Sequence, residues 1–335
     1  MSEDINIAIV AALIDAQPGY LSGSSLADSL ELSRVSIKAH MDQLKNEGLR
    51  IEAIRNRGYR LISLPESLHP SVLEAMLRHE RVTADFRFYK SIDSTNTEAE
   101  RALADGCPTP LVIAAGHQTK GRGRLGREWF SEDPGNIYMS FVFRPHLAPS
   151  RMQRFTLWMG LELCAELHDQ FDAPLMLKWP NDLVANGKKV AGILTEARID
   201  SDQTRDLVLG CGININSNMD NWPEEIRQRA TTLSQLKGTA LDINQLGAAL
   251  IRRGLNAYDA FVDGSYEKDF DSRWHRFNAL EGQTVTITDH HGDHIGTIEG
   301  IDEAGALLMR DKSGITKTYQ AGDVTLSGGL KPWVA

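Results

Sequence analysis

Three arginines set among glycines, Gly121-Arg122-Gly123-Arg124-Leu125-Gly126-Arg127 with Trp129 two residues on, constrain this chain more than any other feature. Read literally, Gly121, Gly123 and Gly126 satisfy the G-x-G-x-x-G fingerprint of a dinucleotide-binding βαβ unit. That unit needs a helix opening at the loop, so that its N-terminal dipole meets a pyrophosphate. Here the loop runs instead into a turn, Asp133-Pro134-Gly135-Asn136, and then an apolar strand, Ile137-Tyr138-Met139-Ser140-Phe141-Val142-Phe143. The fingerprint therefore fails on context. A loop between two strands has no helix dipole to offer, and here guanidiniums take its place. Glycine lets backbone N–H groups approach an anion, and arginine forks match phosphate or carboxylate oxygens. A basic surface hairpin is the plain alternative; three arginines spaced by glycines around a tight turn favour an anion site.

At 335 residues the chain is long enough for two or three domains. Its 41 % hydrophobic content can bury a sizeable core, and a formal net charge of -9 argues against bulk attraction to nucleic acid or membrane. Any DNA contact must come from a local basic patch. Cys107, Cys164 and Cys211 are isolated, so neither a disulfide framework nor a zinc site is indicated. No apolar run reaches the roughly 18 residues of a membrane span, and the acidic start Ser2-Glu3-Asp4 is unlike a secretory signal. A cytoplasmic protein without membrane contact is expected.

Such a patch lies in the first sixty residues. Ile5 to Ala16 carries helical spacing up to Pro18-Gly19, and Ser24-Ser25 can cap a short second helix. Ser33 can cap a third, with Ile37, Met41 and Leu44 facing inward, Arg34, Ser36, Lys38 and His40 on or near the outer side, and Gly48 as its stop. Ile51–Ile54, the turn Arg55-Asn56-Arg57-Gly58 and Tyr59–Ile62 then form a hairpin, which completes the winged helix-turn-helix order. Between Ser33 and Arg60 seven basic residues stand against three acids, a local +4. The third helix would enter a major groove with Ser33, Arg34, Ser36 and Lys38, while wing residues Arg55 and Arg57 touch phosphate. A winged helix used for protein contacts is the competing reading.

Leu64-Pro65-Glu66-Ser67-Leu68-His69-Pro70 reads as a linker. Beyond it, Ser91-Ile92-Asp93-Ser94-Thr95-Asn96 precedes a helical stretch from Thr97 to Ala104; on the residues alone, an N-cap with excess polarity is the favoured reading. Lys178-Trp179-Pro180-Asn181-Asp182 comes after an apolar strand, Val184 to Gly187 suggests a hairpin turn, and Lys188–Leu194 continues from it. Leu207–Asn216 is a strand with glycines where a ligand could approach. From Leu280 the pattern changes to short strands (283–288, 295–301, 306–310, 316–319 and 324–326) at the spacing of a small barrel. His290-His291-Gly292-Asp293-His294 suggests a metal site less than a hydrated hairpin tip.

Taken in order, SIDSTN, GRGRLGREW, KWPND, GKKVAGIL and GCGININ resemble the biotin–protein ligases, and with the winged helix in front the whole chain resembles those that double as biotin operon repressors. The resemblance implies an α+β multidomain fold: a winged helix-turn-helix over 1–64, a mixed-sheet catalytic domain of the class II synthetase-like biotin–lipoate ligase type over 65–275, and an SH3-like barrel over 276–335. It implies that biotin and ATP, with Mg²⁺, give biotinyl-5′-AMP, whose biotinyl group passes to a lysine of the biotin carboxyl carrier protein. Carried over by position, Ser94, Thr95, Asn96, Gln118, Gly192 and Gly210 would hold biotin. Arg122, Gly123 and Arg124 would fold over its carboxylate and the α-phosphate, with Lys189 between the two. Arg127 would reach the leaving phosphates, Trp129 stack on adenine, Asn181 read its amine, and Asn214 join the ATP site. Asp182 would orient Mg²⁺ or take a proton from the acceptor lysine. Two anions must be brought within attack distance, so cations there fit the chemistry. Lys188 is the weaker of the adjacent lysines, Trp179 suits a core position beneath the site, and Leu125 stands where many relatives have a further basic residue. The resemblance further implies that biotinyl-5′-AMP acts as corepressor, promoting a homodimer that reads an inverted-repeat operator. A lipoate–protein ligase and a transcription factor that only senses a ligand are the rival readings.

Overall fold

The computed structural model describes residues 2–131, 135–200, 202–289 and 291–326. The chain opens with α1 (Ser2–Asp15), α2 (Gly23–Ser29) and α3 (Arg34–Asn46), then the hairpin β1 (Arg50–Ile54) and β2 (Gly58–Ser63). Ile37, Met41 and Leu44 turn inward from α3 as their spacing requires, onto Ile7, Val10, Leu13, Leu26 and Leu61. The Ser33 hydroxyl accepts the Ser36 N–H at 3.0 Å, the expected cap. The second helix starts earlier than Ser24-Ser25 suggested. Its cap is Ser22, which accepts the Ser25 N–H at 3.4 Å, because Leu21 is pinned in a two-way backbone bridge to Tyr59 and leaves Ser22 extended.

The expected linker is a clamp. Asn244 donates its side-chain amide to the carbonyls of Pro65 (3.0 Å) and Ser67 (3.1 Å), and its Oδ1 accepts the His69 N–H at 2.8 Å. His69 is buried against Glu47, and α4 (Pro70–His79) begins at once. Val72 and Ala75 of α4 pack into the N-terminal core, whereas Leu73 and Leu77 pack into the central one. One short helix is thus shared by two cores. Two prolines and polar neighbours signal irregular backbone correctly, but not its mobility.

The central sheet has seven strands in the order β3-β4-β5-β9-β8-β7-β6. These are β3 (Asp85–Tyr89), β4 (Leu111–Ala115), β5 (Ile137–Phe143), β6 (Met176–Lys178), β7 (Asp182–Ala185), β8 (Lys188–Asp200) and β9 (Gln203–Ile213). Only β3 and β4 pair in parallel, so the sheet is mixed. Alternate residues of β4 serve opposite faces: Ile113 meets α5 (Thr95–Ala104), while Val112 and Ala114 join the main core. That core is closed by α6 (Met152–Phe171), α9 (Ile243–Asp263) and α10 (Glu267–Phe277), the small helices α7 (Glu224–Arg229) and α8 (Leu233–Lys237) lying between. The anticipated turn after the arginine loop lies partly in 132–134, outside the described residues.

Among the described residues, five antiparallel strands come last: β10 (Thr284–Asp289), β11 (Gly292–Ile301), β12 (Leu307–Asp311), β13 (Thr316–Tyr319) and β14 (Asp323–Leu326), ordered β13-β12-β11-β10-β14. Val285, Ile298, Leu307 and Val324 continue the central core, and the fully buried Trp179 donates its indole N–H to Gly305 O at 3.0 Å. Trp179 is therefore a core residue that fastens the last sheet beneath the site. At the β10–β11 tip, Asp289 accepts the His291 N–H at 2.7 Å; His290 lies outside the described residues. Among the described residues no cluster of three or more His, Cys, Asp or Glu could hold a metal, and no helix is long and apolar enough to cross a membrane.

Candidate functional site

One cleft opens over the C-terminal part of β9 and the facing part of β8, bounded by the start of α5, the arginine loop and the edge of β14. Its deep end is lined by uncharged polar side chains, with the Glu196 carboxylate behind the Asn96 amide. Thr95 donates both its N–H (2.8 Å) and its hydroxyl (3.2 Å) to Gln118 Oε1. Ser140 Oγ lies 2.8 Å from Thr95 Oγ1 and 2.6 Å from Asn96 Oδ1, and Asn96 Nδ2 donates to Glu196 at 2.8 Å. Ser94 stands at the N-cap of α5, yet its hydroxyl makes no capping bond. The polar run before α5 is therefore not spent on capping. Ser94, Thr95, Asn96 and Gln118 are all buried, a cost that converging hydrogen bonds offset.

The floor is built of glycine. Gly192 and Gly212 face each other across β8 and β9, and a Cβ on Gly212 would come 2.4 Å from the Trp129 ring. A Cβ on Gly210 would come 2.1 Å from Asn96 Oδ1, so only glycine leaves that amide in place. Trp129 lies on this floor with its indole N–H buried and unpartnered, and the Lys189 ammonium is 5.2 Å from its ring centroid.

The mouth is charged. The arginine loop closes on itself through Gly123 N–H to Arg127 O (2.7 Å) and Trp129 N–H to Gly121 O (2.8 Å). Arg122 reaches Glu100 (3.0 Å), Thr97 (3.3 Å) and Glu196. Arg124 donates to Asn181 Oδ1 at 3.0 Å, and burial pulls its pKa below the usual arginine value against the pull of Asp323 and Asp182. Arg127 pairs with Asp323 at the start of β14, a bond that holds its guanidinium above its ordinary pKa. Lys189 Nζ sits 2.7 Å from Asp182. The KWPND segment makes the turn between β6 and β7, with Lys178 opposite Asp182, and Asn181 is anchored by donating to Ile193 O at 2.5 Å. Burial depresses the Lys178 pKa, Asp182 opposing and Lys189 adding to the effect.

The cleft brings together Ser94, Thr95, Asn96, Gln118, Arg122, Gly123, Arg124, Arg127, Trp129, Asn181, Asp182, Lys189, Gly192 and Gly210. Asn214 is not among its lining residues; it is buried past the end of β9, donating to Thr231 O at 3.3 Å. Lys188 points elsewhere, to Arg227 O at 3.1 Å. Sequence reading missed Asp323, Glu196 and Ser140. Ser140 had a signal, a small hydroxyl residue set among aliphatic and aromatic ones in its strand. Asp323 had none, since nothing local ties it to an arginine 196 positions earlier.

At the other end of the molecule, Arg34, Lys38, Arg55 and Arg57 are exposed. Arg34, Arg55 and Arg57 line one cleft between α3 and the wing. Arg57 also lies 5.3 Å from the Tyr20 ring centroid, beside Arg60 at 4.8 Å.

Comparison with known proteins agrees along the chain. The biotin/lipoate A/B protein ligase family matches residues 88–214, a helix-turn-helix domain matches 7–60 and the biotin protein ligase C-terminal domain matches 282–327. The bifunctional ligase/repressor BirA of Bacillus spizizenii (strain ATCC 23059 / NRRL B-14472 / W23) is 31 % identical over 90 % of this chain and 93 % of its own length. That of Escherichia coli (strain K12) is 28 % identical over 98 % of each chain. The structure of a biotin protein ligase from Aquifex aeolicus in complex with biotin and ATP superposes with a TM-score of 0.60 at 30 % identity, covering 72 % of this chain and 98 % of that one.

Proposed function

This chain belongs to the family of bifunctional biotin ligase/repressors, and we propose that it joins biotin to ATP, hands the biotinyl group to a lysine of a biotin carboxyl carrier protein, and represses transcription through its winged helix. The observation that carries the reading is the junction inside one cleft of a buried, neutral hydrogen-bonding end and a cationic mouth. Biotin has that polarity: a neutral ureido ring at one end and a carboxylate at the other. Lipoate does not. Its dithiolane offers no donor or acceptor to Thr95, Asn96 and Gln118, so their water-exposed hydrogen-bonding capacity would be covered without compensation, and a site built to hydrogen-bond rejects such an analogue strongly.

In this reading a biotin carboxylate oxygen attacks the α-phosphorus and the bond to pyrophosphate breaks. The acceptor lysine amine then attacks the biotinyl carbonyl and AMP leaves. Lys189 and Arg124 offset the repulsion of the meeting anions, Arg122 covers the carboxylate, Arg127 takes the leaving phosphates, and Trp129 and Asn181 face adenine. Cations now resting on Asp182, Glu196 and Asp323 would exchange those carboxylates for substrate oxygens. Asp182 is the residue that would hold Mg²⁺. Magnesium usually takes only one or two protein carboxylates beside phosphates and water, so a single carboxylate suits it. The ion would supply charge neutralisation on the phosphates.

The same reading takes residues 1–64, 65–275 and 276–335 as three functional units, with biotinyl-5′-AMP as corepressor of a homodimer on an inverted repeat, in the cytoplasm. A single winged helix contacts one half-site, so dimerisation raises DNA affinity without new contacts on either subunit. Sedimentation with and without biotin and ATP tests this: dimer should accumulate only with both. For the ligase, pyrophosphate–ATP exchange should depend on biotin, and lipoate should not replace it. Exchange without biotin, or supported by lipoate, would refute the assignment.

A deeper test is steric. Gly210→Ala should weaken biotin binding about ten- to a hundredfold, the scale of breaking a buried hydrogen-bond network, because the new methyl displaces Asn96 Oδ1. Unchanged calorimetric affinity would remove Asn96 from the biotin pocket.

A further inference from the structure

Val35 is the most exposed large hydrophobic side chain among the described residues, at 80 % of its accessible surface. It occupies the second position of α3, directly after Arg34 and one turn before Ala39, which is exposed on the same face. The inner residues Ile37, Met41 and Leu44 make no use of it, so its branched side chain contributes nothing to the core. Its surroundings are cationic. Arg34 and Lys38 flank it on α3, and the cleft beside it is lined by Arg34 and by Arg55 and Arg57 of the wing. None of Arg34, Lys38 and Arg55 has an ion-pair partner within the described residues. Asp42, a turn beyond Lys38, is an acid and marks where the cationic stretch of α3 stops.

Charge of this kind fits a phosphate backbone, and the first turn of a recognition helix is the part that meets base edges. A major groove offers donors, acceptors and only one kind of apolar group, the 5-methyl of thymine. We propose that Val35, supported by Ala39, reads a thymine methyl, so that each half-site carries a thymine facing the first turn of α3. This rests on the DNA-binding role of the winged helix and deepens it from a basic surface to a base preference. Arg34, Lys38, Arg55 and Arg57 hold the helix on the backbone; Val35 selects the base.

The test uses the full-length protein with biotin and ATP. Duplexes are selected from a random-sequence library, and each thymine of the enriched duplex is replaced in turn by deoxyuridine, which removes only the methyl. At one position per half-site the replacement should weaken binding about fourfold, the value of one buried CH₂ group. Val35→Ala, which alters both subunits of the dimer, should lose about as much as replacement in both half-sites together, about 16-fold, and nothing more on the duplex so replaced. Val35 being exposed, the variant should melt with the native protein. An enriched sequence in which every deoxyuridine replacement is either silent or equally felt by Val35→Ala would overturn the proposal while leaving DNA binding intact. No enriched sequence at all would remove the DNA reading and this one with it. Equal loss on every duplex, thymine-bearing or not, would show Val35 serving a protein contact instead.

Discussion

Lys189→Ala is expected to leave a folded protein that makes the adenylate about 10²–10³-fold more slowly, the scale on which a single stabilising group at a developing charge contributes (about 3–4 kcal/mol). Lys189 Nζ lies 2.7 Å from Asp182 and over Trp129, at the boundary between the neutral end of the cleft and its arginines. Two anions pushed together there raise the barrier unless a cation sits between them. The side chain is partly exposed, so its loss leaves no cavity in the core. Arg122→Ala should cost less, because Arg122 spans the mouth on Glu100 and Glu196 and shares its task with Arg124. Single-turnover adenylate formation separates the variants, and thermal melting controls for folding. Near-native adenylate synthesis by Lys189→Ala would sink the site assignment.

Removing residues 1–64 should abolish DNA binding and, in addition, destabilise what remains. The first effect comes from the loss of α3 and the wing. The second comes from α4, whose Val72 and Ala75 are buried in the core formed with the N-terminal helices and hairpin. Uncovering one valine costs roughly 1.5–3 kcal/mol, which for a chain of this size is a fall in melting temperature of about 3–10 °C. Ligase activity should persist at low temperature and fade earlier on warming than in the full chain. DNA affinity that survives the cut would refute the winged-helix role. An unchanged melting temperature would refute the shared-helix argument, and truncation with Val72→Ser should recover solubility if that argument holds.

The N-terminal helices were legible because Ile37, Met41 and Leu44 repeat at the helical period and Ser33 caps locally. The arginine loop was legible as a tight cationic turn, and the strand after it excluded a dinucleotide fold, for the same reason: loop composition and strand pattern are short-range signals. By itself the sequence also ordered the motifs well enough to identify a family. Tertiary structure decided what depends on distant partners. Asn244 turns a linker into a clamp from far along the chain, and no periodicity near Pro65 announces it. Asp323 finds Arg127 only because Trp179 and Gly305 dock the last sheet beneath the site. The run from Ser94 to Asn96 looks like a helix cap until Gln118, Ser140 and the missing Cβ of Gly210 converge on it. Local chemistry sets what each residue can do; which oxygen or ammonium it meets is settled by burial and register, and those are properties of the whole fold.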